Sequence, residues 1–235
     1  MTNAPHCAII EQKYFKMVQY VRLLAQKQHK QIEQIEKVEC MKIYIDFDDT
    51  IAQSLPVVVN IVNKRYGRNA NVQDIGRWNF SDVYPDISAH NIVKVFGEDE
   101  FFKHLKPKKD AVRVLHKFCK RNELIVVSKV DTKALWNKNG WLDRTLRNVG
   151  IDIRFIGIPL GKSKGLIDMS DGIMIDDNVT FLNETNAKYK ILFDNDTKFH
   201  RSQEWDGLRV DNWKDLDKVL SDIISKEKGI TNGKI

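Results

Sequence analysis

Three aspartates and a threonine, Asp46, Asp48, Asp49 and Thr50, stand in the string "YIDFDDTI" directly behind a run of β-formers. Carboxylates repel one another and are costly to bury, so crowding them behind an apolar strand needs a reason. An acidic turn closing the strand would be one, since Asp is common in turns. A site that holds a cation and attacks an electrophile would be another. Two further strings share this character: "IVVSK" carries Ser128, and "IMIDDN" carries Asp176 and Asp177. Taken singly, each such Asp or Ser serves equally well to cap a turn or a helix. Carboxylates from separate strands that met in one place would need a cation to neutralise them. Hard oxygen ligands, with no His or Cys close in sequence, favour Mg2+ over Zn2+.

Those residues are useful only if something brings them together. From Met41 onward the chain alternates short apolar runs with helical stretches. Strands are expected at 42–46, 124–128, 153–158, 172–176 and 190–193, and helices at 109–121 and 132–149. That alternation predicts an α/β fold with a mostly parallel sheet flanked by helices, and strands buried on both faces explain the unbroken apolar runs. Ligands gather at the carboxyl ends of strands in such sheets. Asp46, Asp48, Ser128, Asp176 and Asp177 would all lie along that edge.

The 235 residues suffice for one such domain plus an appendage. Residues 8–39 lack Gly and Pro and repeat apolar positions every three or four residues, the pattern of an amphipathic helix. Residues 1–40 are therefore expected to form a helical extension, which offers a route to a homo-oligomer. The formal charge of +6 is spread out, with no long basic block, so no extended nucleic-acid groove is expected. Three scattered cysteines suggest neither a disulfide framework nor a zinc site. No stretch resembles a signal peptide or a membrane span, and a cytoplasmic protein is expected. The six histidines show no metal-ligand spacing and receive no role. The chain from 221 to 235 is expected to be a tail.

In order, "DFDDT", "VVS", a Lys in "GKSKG" and "IDD" resemble the four motifs of the haloacid dehalogenase superfamily, with Asp49 where Gly is usual. The resemblance implies a Rossmann-like core and a phosphomonoesterase. In that chemistry Asp46 would be the nucleophile that forms an aspartyl-phosphate. Asp48 would protonate the leaving oxygen and then activate water. Thr50 and Ser128 would donate hydrogen bonds to the phosphoryl oxygens. A Lys, Lys164 in preference to Lys162, would offset charge on the aspartate and phosphate. Mg2+ would be held by Asp46, the main-chain carbonyl of Asp48 and Asp176, with Asp177 acting through water.

Residues 51–123 exceed what one connecting helix needs, so a small helical cap is expected at about 55–108, within a phosphatase domain spanning 41–220. The segments "NKRYG", "WNFSD" and "FF", with "KNGWL" and "NWKDL" later on, resemble the 5'(3')-deoxyribonucleotidase family in its phage and bacterial form. That resemblance implies (deoxy)nucleoside monophosphates as substrates. Trp78 and Phe80 would offer stacking surfaces for a base. Phe101 and Phe102 read better as the cap's own core. Lys138, ten residues after Ser128, matches a family lysine that steadies phosphate. Ser54 stands where animal members have an aromatic, so base selectivity does not transfer. Two rival readings keep parts of this picture: a phosphatase for a sugar, a cofactor or a nucleic-acid 3' end, or a non-catalytic scaffold.

Overall fold

The computed structural model describes residues 40–195 and 197–229, together with 19, 22–24, 26 and 27. The chain divides into two compact units, residues 1–40 and 41–235. In the first unit residues 19, 22–24, 26 and 27 are helical and exposed, and Cys40 is exposed outside any element. The rest of the expected N-terminal helix lies outside the described residues.

In the second unit, six strands form one parallel sheet: β1 (Lys42–Ile45), β2 (Glu123–Val130), β3 (Arg154–Pro159), β4 (Gly172–Asp176), β5 (Tyr189–Phe193) and β6 (Leu208–Val210). Their order is β3-β2-β1-β4-β5-β6. Residues alternate between two apolar layers. Ile43, Ile45, Leu124, Val126, Ile173 and Ile175 join the larger core, while Tyr44, Ile125, Val127, Met174 and Leu192 join the smaller one. Burial on both faces accounts for the continuous apolar strings seen in the sequence. β6 has no counterpart among the expected strands; it is three residues long with two exposed, too short and too polar to carry a strand signal.

The chain leaves β1, builds outward through β2 and β3, and then returns to β4 on the other side of β1. β1 is therefore the switch point, where the carboxyl ends of neighbouring strands open a crevice. Register determines what stands there. Ile45 pairs with Ile175, so the next residues, Asp46 and Asp176, are neighbours, and Asp46 N–H donates to the Ile175 carbonyl at 2.8 Å.

Between β1 and β2 lie α1 (Ser54–Tyr66), α2 (Ala89–Val95), α3 (Asp99–His104) and α4 (Ala111–Phe118). α1 stops at Gly67, whose φ of 63° puts it in the left-handed region that glycine enters most cheaply. The first three helices enclose buried Tyr84, Ile92, Val95, Phe101 and Phe102. The Tyr84 hydroxyl donates to Asn63 Oδ1 at 2.9 Å.

After β2 come α5 (Thr132–Thr145), α6 (Val179–Glu184), α7 (Lys198–Ser202) and α8 (Trp213–Glu227). Asp131, Asn178, Thr197 and Asn212 cap their starts with side-chain oxygens, as short polar residues do. α8 runs to Glu227 and buries Ile223, so the expected tail beginning at 221 is helix for its first seven residues. The expected helix at 109–121 is shorter, because Asp110 takes a φ of 66° just before α4.

Trp213 ties α8 to the segment behind β1. Its indole is 1 % exposed, and Nε1–H donates to the Thr50 carbonyl at 2.9 Å. Trp213→Phe keeps an aromatic ring in the core but leaves that carbonyl without its donor. Urea unfolding should show a loss of about 1–3 kcal/mol.

Candidate functional site

β1 hands the chain to Asp46, which is 6 % exposed, followed by a tight turn in which the N–H groups of Ile51 and Ala52 both donate to the Phe47 carbonyl. The turn needs a positive φ at Asp49, 51°, the conformation for which the related motif uses glycine. Asp tolerates this region better than most residues. Its side chain also serves the next element. The Asp49 carboxylate accepts the Leu55 N–H at 3.1 Å and so caps α1 from outside the helix.

Three carboxylates converge. Asp46, Asp176 and Asp177 are all buried, and each offers an oxygen within 4.8 Å of the others. Lys164, fully buried, lies between two of them: Nζ donates to Asp46 Oδ1 at 2.5 Å and to Asp176 Oδ2 at 2.6 Å. Lys162, its neighbour in the string, is exposed. Two contacts hold Lys164 in place. Its N–H donates to Glu184 Oε2 at 2.9 Å, and Gly165 packs so tightly that a Cβ there would lie 2.3 Å from the Glu184 carbonyl oxygen. The "GKSKG" string thus needs glycine at 165 for close approach.

A second cationic pair stands beside the first. α5 buries Ala134, Lys138, Trp141 and Leu142 on one face. The Lys138 ammonium, on that apolar face, bonds Asp48 Oδ2 and donates to Ser128 Oγ at 2.8 Å. Ser54 Oγ donates to the other Asp48 oxygen at 2.7 Å. In the sequence Ser54 is notable only as a missing aromatic; in the fold it fixes a carboxylate. Thr50 Oγ1 is buried with no hydrogen-bond partner, although such groups are nearly always paired in a native fold.

The electrostatics follow from burial. Desolvation pushes the carboxyls of Asp46, Asp176 and Asp177 upward, well above the usual range for the last two, and Lys164 only partly opposes this. Burial pulls the Lys164 ammonium down, but the charges and hydrogen bonds of Asp176 and Asp46 together hold it above its ordinary value. One lysine against three buried carboxylates leaves a negative excess, and three oxygen donors suit a hard divalent ion. A fit to Mg2+ follows from this charge and donor set.

Behind Asp177 is a residue that sequence reasoning does not select. His200 Nε2 lies 2.8 Å from Asp177 Oδ2, and burial lowers its pKa to about 4. Its only local signal is the Thr197 cap three residues earlier.

Asp46, Asp48, Ser128, Lys138, Lys164 and Asp177 floor a cavity of about 280 Å3. Trp78, Phe80, Phe96 and Phe181 supply its apolar wall. Trp78 is 46 % exposed and meets the Phe181 ring edge-on at 5.7 Å. Phe80 also lines the cavity but is 3 % exposed. Phe101 and Phe102 do not line it; Phe101 packs against Phe96 and against Phe102. Of the expected site residues, Asp46, Asp48, Ser128, Lys138, Lys164 and Asp177 all border this one space, and Asp176 stands behind Lys164.

A six-stranded parallel sheet with acidic residues at its switch point and a helical insertion after β1 defines the class: an α/β fold shared with haloacid dehalogenase-like hydrolases. Residues 40–228 match the family described as 5' nucleotidase, deoxy (pyrimidine), cytosolic type C, and the chain belongs to that family of phosphoric monoester hydrolases. Among solved structures, the fold is similar to a predicted phosphatase from Clostridium acetobutylicum. The identity is 14 %, the TM-score 0.54, and 77 % of this chain and 98 % of that one are covered. It is also similar to a haloacid dehalogenase-like hydrolase from Streptococcus pneumoniae. There the identity is 13 %, the TM-score 0.53, and the coverage 76 % and 98 %. No curated protein sequence matches the chain. Among the described residues no helix is long and apolar enough to cross a membrane.

Burial raises the Asp49 pKa to about 7, against an unfolded value near 3.8, with Lys108 opposing. A raised carboxyl pKa means that the folded state holds a proton the unfolded state releases, so stability falls as pH climbs from about 4 to 7. Asp49→Asn keeps an acceptor for Leu55 and tolerates the positive φ. In EDTA it should stabilise the fold at pH 8 by up to about 4 kcal/mol, with the gain vanishing by about pH 4 in paired urea titrations.

Proposed function

We propose that this protein is a Mg2+-dependent phosphatase that converts deoxynucleoside monophosphates to nucleoside and phosphate through an aspartyl-phosphate on Asp46. The observation that carries the reading is the placement of Asp46. Its carboxylate lies at the cavity floor, one oxygen fixed by Lys164, in a cluster with Asp176 and Asp177 that is short of positive charge. Asp46, Asp176 and the Asp48 main-chain carbonyl would hold the ion, with Asp177 reaching it through water. Bound Mg2+ would supply positive charge against the phosphoryl oxygens.

The chain's own residues divide the remaining work. Asp46 attacks phosphorus, and the bond to the ester oxygen breaks. Asp48 delivers a proton to that leaving oxygen and later takes one from the water that cleaves the acyl phosphate. Ser54 and Lys138 hold Asp48 from both oxygens, which keeps it turned toward the cavity. Lys138 and Ser128, which line the cavity, are donors for phosphoryl oxygens, whereas Thr50, also expected as one, is fully buried and outside the lining. Trp78 and Phe80 form the flat apolar side against which a base can lie. The cavity volume, about 280 Å3, is at the small end for ligand pockets and suits a mononucleotide rather than a polymer.

A phosphate-release panel across the common ribo- and deoxynucleotides tests this directly. Deoxynucleoside monophosphates should lead, EDTA should silence the reaction, and Asp46→Asn should lose it while keeping its circular dichroism spectrum. Full turnover by Asp46→Asn would remove the nucleophile assignment.

The elevated carboxyls give a second, independent test. Below their folded pKa the three carboxyls carry protons that a cation must displace, and above it they are free to bind one. The rise in melting temperature caused by Mg2+ should therefore be larger at pH 8 than at pH 5. An equal rise at both would argue that the ion binds elsewhere.

A further inference from the structure

Asp177 differs from the carboxylates beside it in what holds it. Asp46 and Asp176 share Lys164, whereas Asp177 Oδ2 meets His200 Nε2 at 2.8 Å. His200 is 2 % exposed and comes from α7, which follows β5 in the chain. The other end of its ring is fixed as well, with Nδ1 2.6 Å from Thr197 Oγ1. That same oxygen accepts the His200 main-chain N–H at 3.1 Å, as the cap of α7. An ionised Asp177, the form that binds a cation, can only accept from Nε2, which leaves Nδ1 to accept the Thr197 hydroxyl's hydrogen. The ring hydrogen is then on Nε2, aimed at Asp177. The backbone of Asp177 is held from the same segment: its carbonyl accepts Gln203 Nε2 at 2.8 Å, and Gln203 Oε1 accepts Val179 N–H at 2.8 Å.

His200 does not line the 280 Å3 cavity and cannot touch a substrate there. No proton transfer in the reaction requires it. A buried imidazole with both nitrogens committed, one to a carboxylate of the cluster, instead suits a residue that orients a metal-binding group. Resting on the phosphatase reading above, we propose that His200, itself oriented by Thr197, is a positioning residue that turns Asp177 so that Oδ1 faces the divalent ion's shell. Without the imidazole, Asp177 is free to rotate about its side-chain torsions and part of the ion's shell is lost. The penalty then falls on metal affinity and leaves substrate affinity at saturating metal alone.

Calorimetric titration of Mg2+ into nucleotide-free protein reads this, alongside kinetics with p-nitrophenyl phosphate at saturating Mg2+. His200→Leu should weaken Mg2+ binding about 10–100-fold, with KM at saturating Mg2+ within about twofold of wild type. His200→Gln, whose amide can still donate to Asp177, should recover most of the affinity. Unchanged Mg2+ affinity in a folded His200→Leu overturns the proposal, and so does a Gln variant as weak as the Leu one. If His200→Leu does not fold, Thr197→Val takes its place: weaker Mg2+ binding, restored by Thr197→Ser, is expected. Unchanged affinity in Thr197→Val overturns the orienting chain. Wild-type protein that neither binds Mg2+ nor releases phosphate is a separate outcome, which removes the phosphatase reading before any variant is made.

Discussion

The Lys164 ammonium, buried between Asp46 and Asp176, lets the acidic edge of the sheet exist. β-register alone places Asp46 beside Asp176, and chain continuity adds Asp177. Burying those three carboxylates without a counter-charge would cost far more than a domain's net stability allows. Lys164 bridges the first two and leaves the third to His200. The compensation is incomplete: one positive charge faces three negative ones, and the excess is what a divalent ion would satisfy. Buried ion pairs are weak contributors to stability once desolvation is counted. Their retention here is better explained by the chemistry they permit.

The lysine depends in turn on the loop that carries it. Glu184 accepts the Lys164 N–H and pairs with Lys129 at 3.0 Å, while Gly165 fits against the Glu184 carbonyl with no room for a side chain. Phe181, one turn earlier on α6, lies under both ammonium groups, 4.0 Å from Lys129 and 5.3 Å from Lys164. The same helix therefore positions the cation of the acidic cluster and a wall of the cavity. Any disturbance of α6 reaches both.

What is legible in the sequence follows from which forces leave a local trace. Strands buried on both faces write unbroken apolar runs, which makes β1, β2, β4 and β5 visible. β6, an edge strand of three residues with two exposed, writes none. Aspartates directly behind such runs are equally visible. Lys162 and Lys164 are two residues apart and identical in type, and only the packing of the folded loop separates them. His200 is invisible because its partner is 23 residues away along the chain and the contact forms only when α7 folds back over the sheet edge. Ser54 is conspicuous for an aromatic it lacks, since nothing in the string shows that its hydroxyl reaches back six residues to Asp48.

The cavity joins two parts with unlike constraints. Its floor comes from strand ends whose positions are set by sheet register and by ion pairs that tolerate no change of charge. Its roof comes from the segment between α1 and α3, whose Tyr84, Ile92 and Val95 are buried in the same core as the strands. Trp78, by contrast, is half in solvent and meets the rings of Phe181 and Phe199 at the cavity's margin. A residue that contributes little to folding can change without unfolding the protein. On the phosphatase reading, the floor fixes the reaction, and exposed Trp78 at the cavity's margin is where a change can alter substrate preference without disturbing that floor.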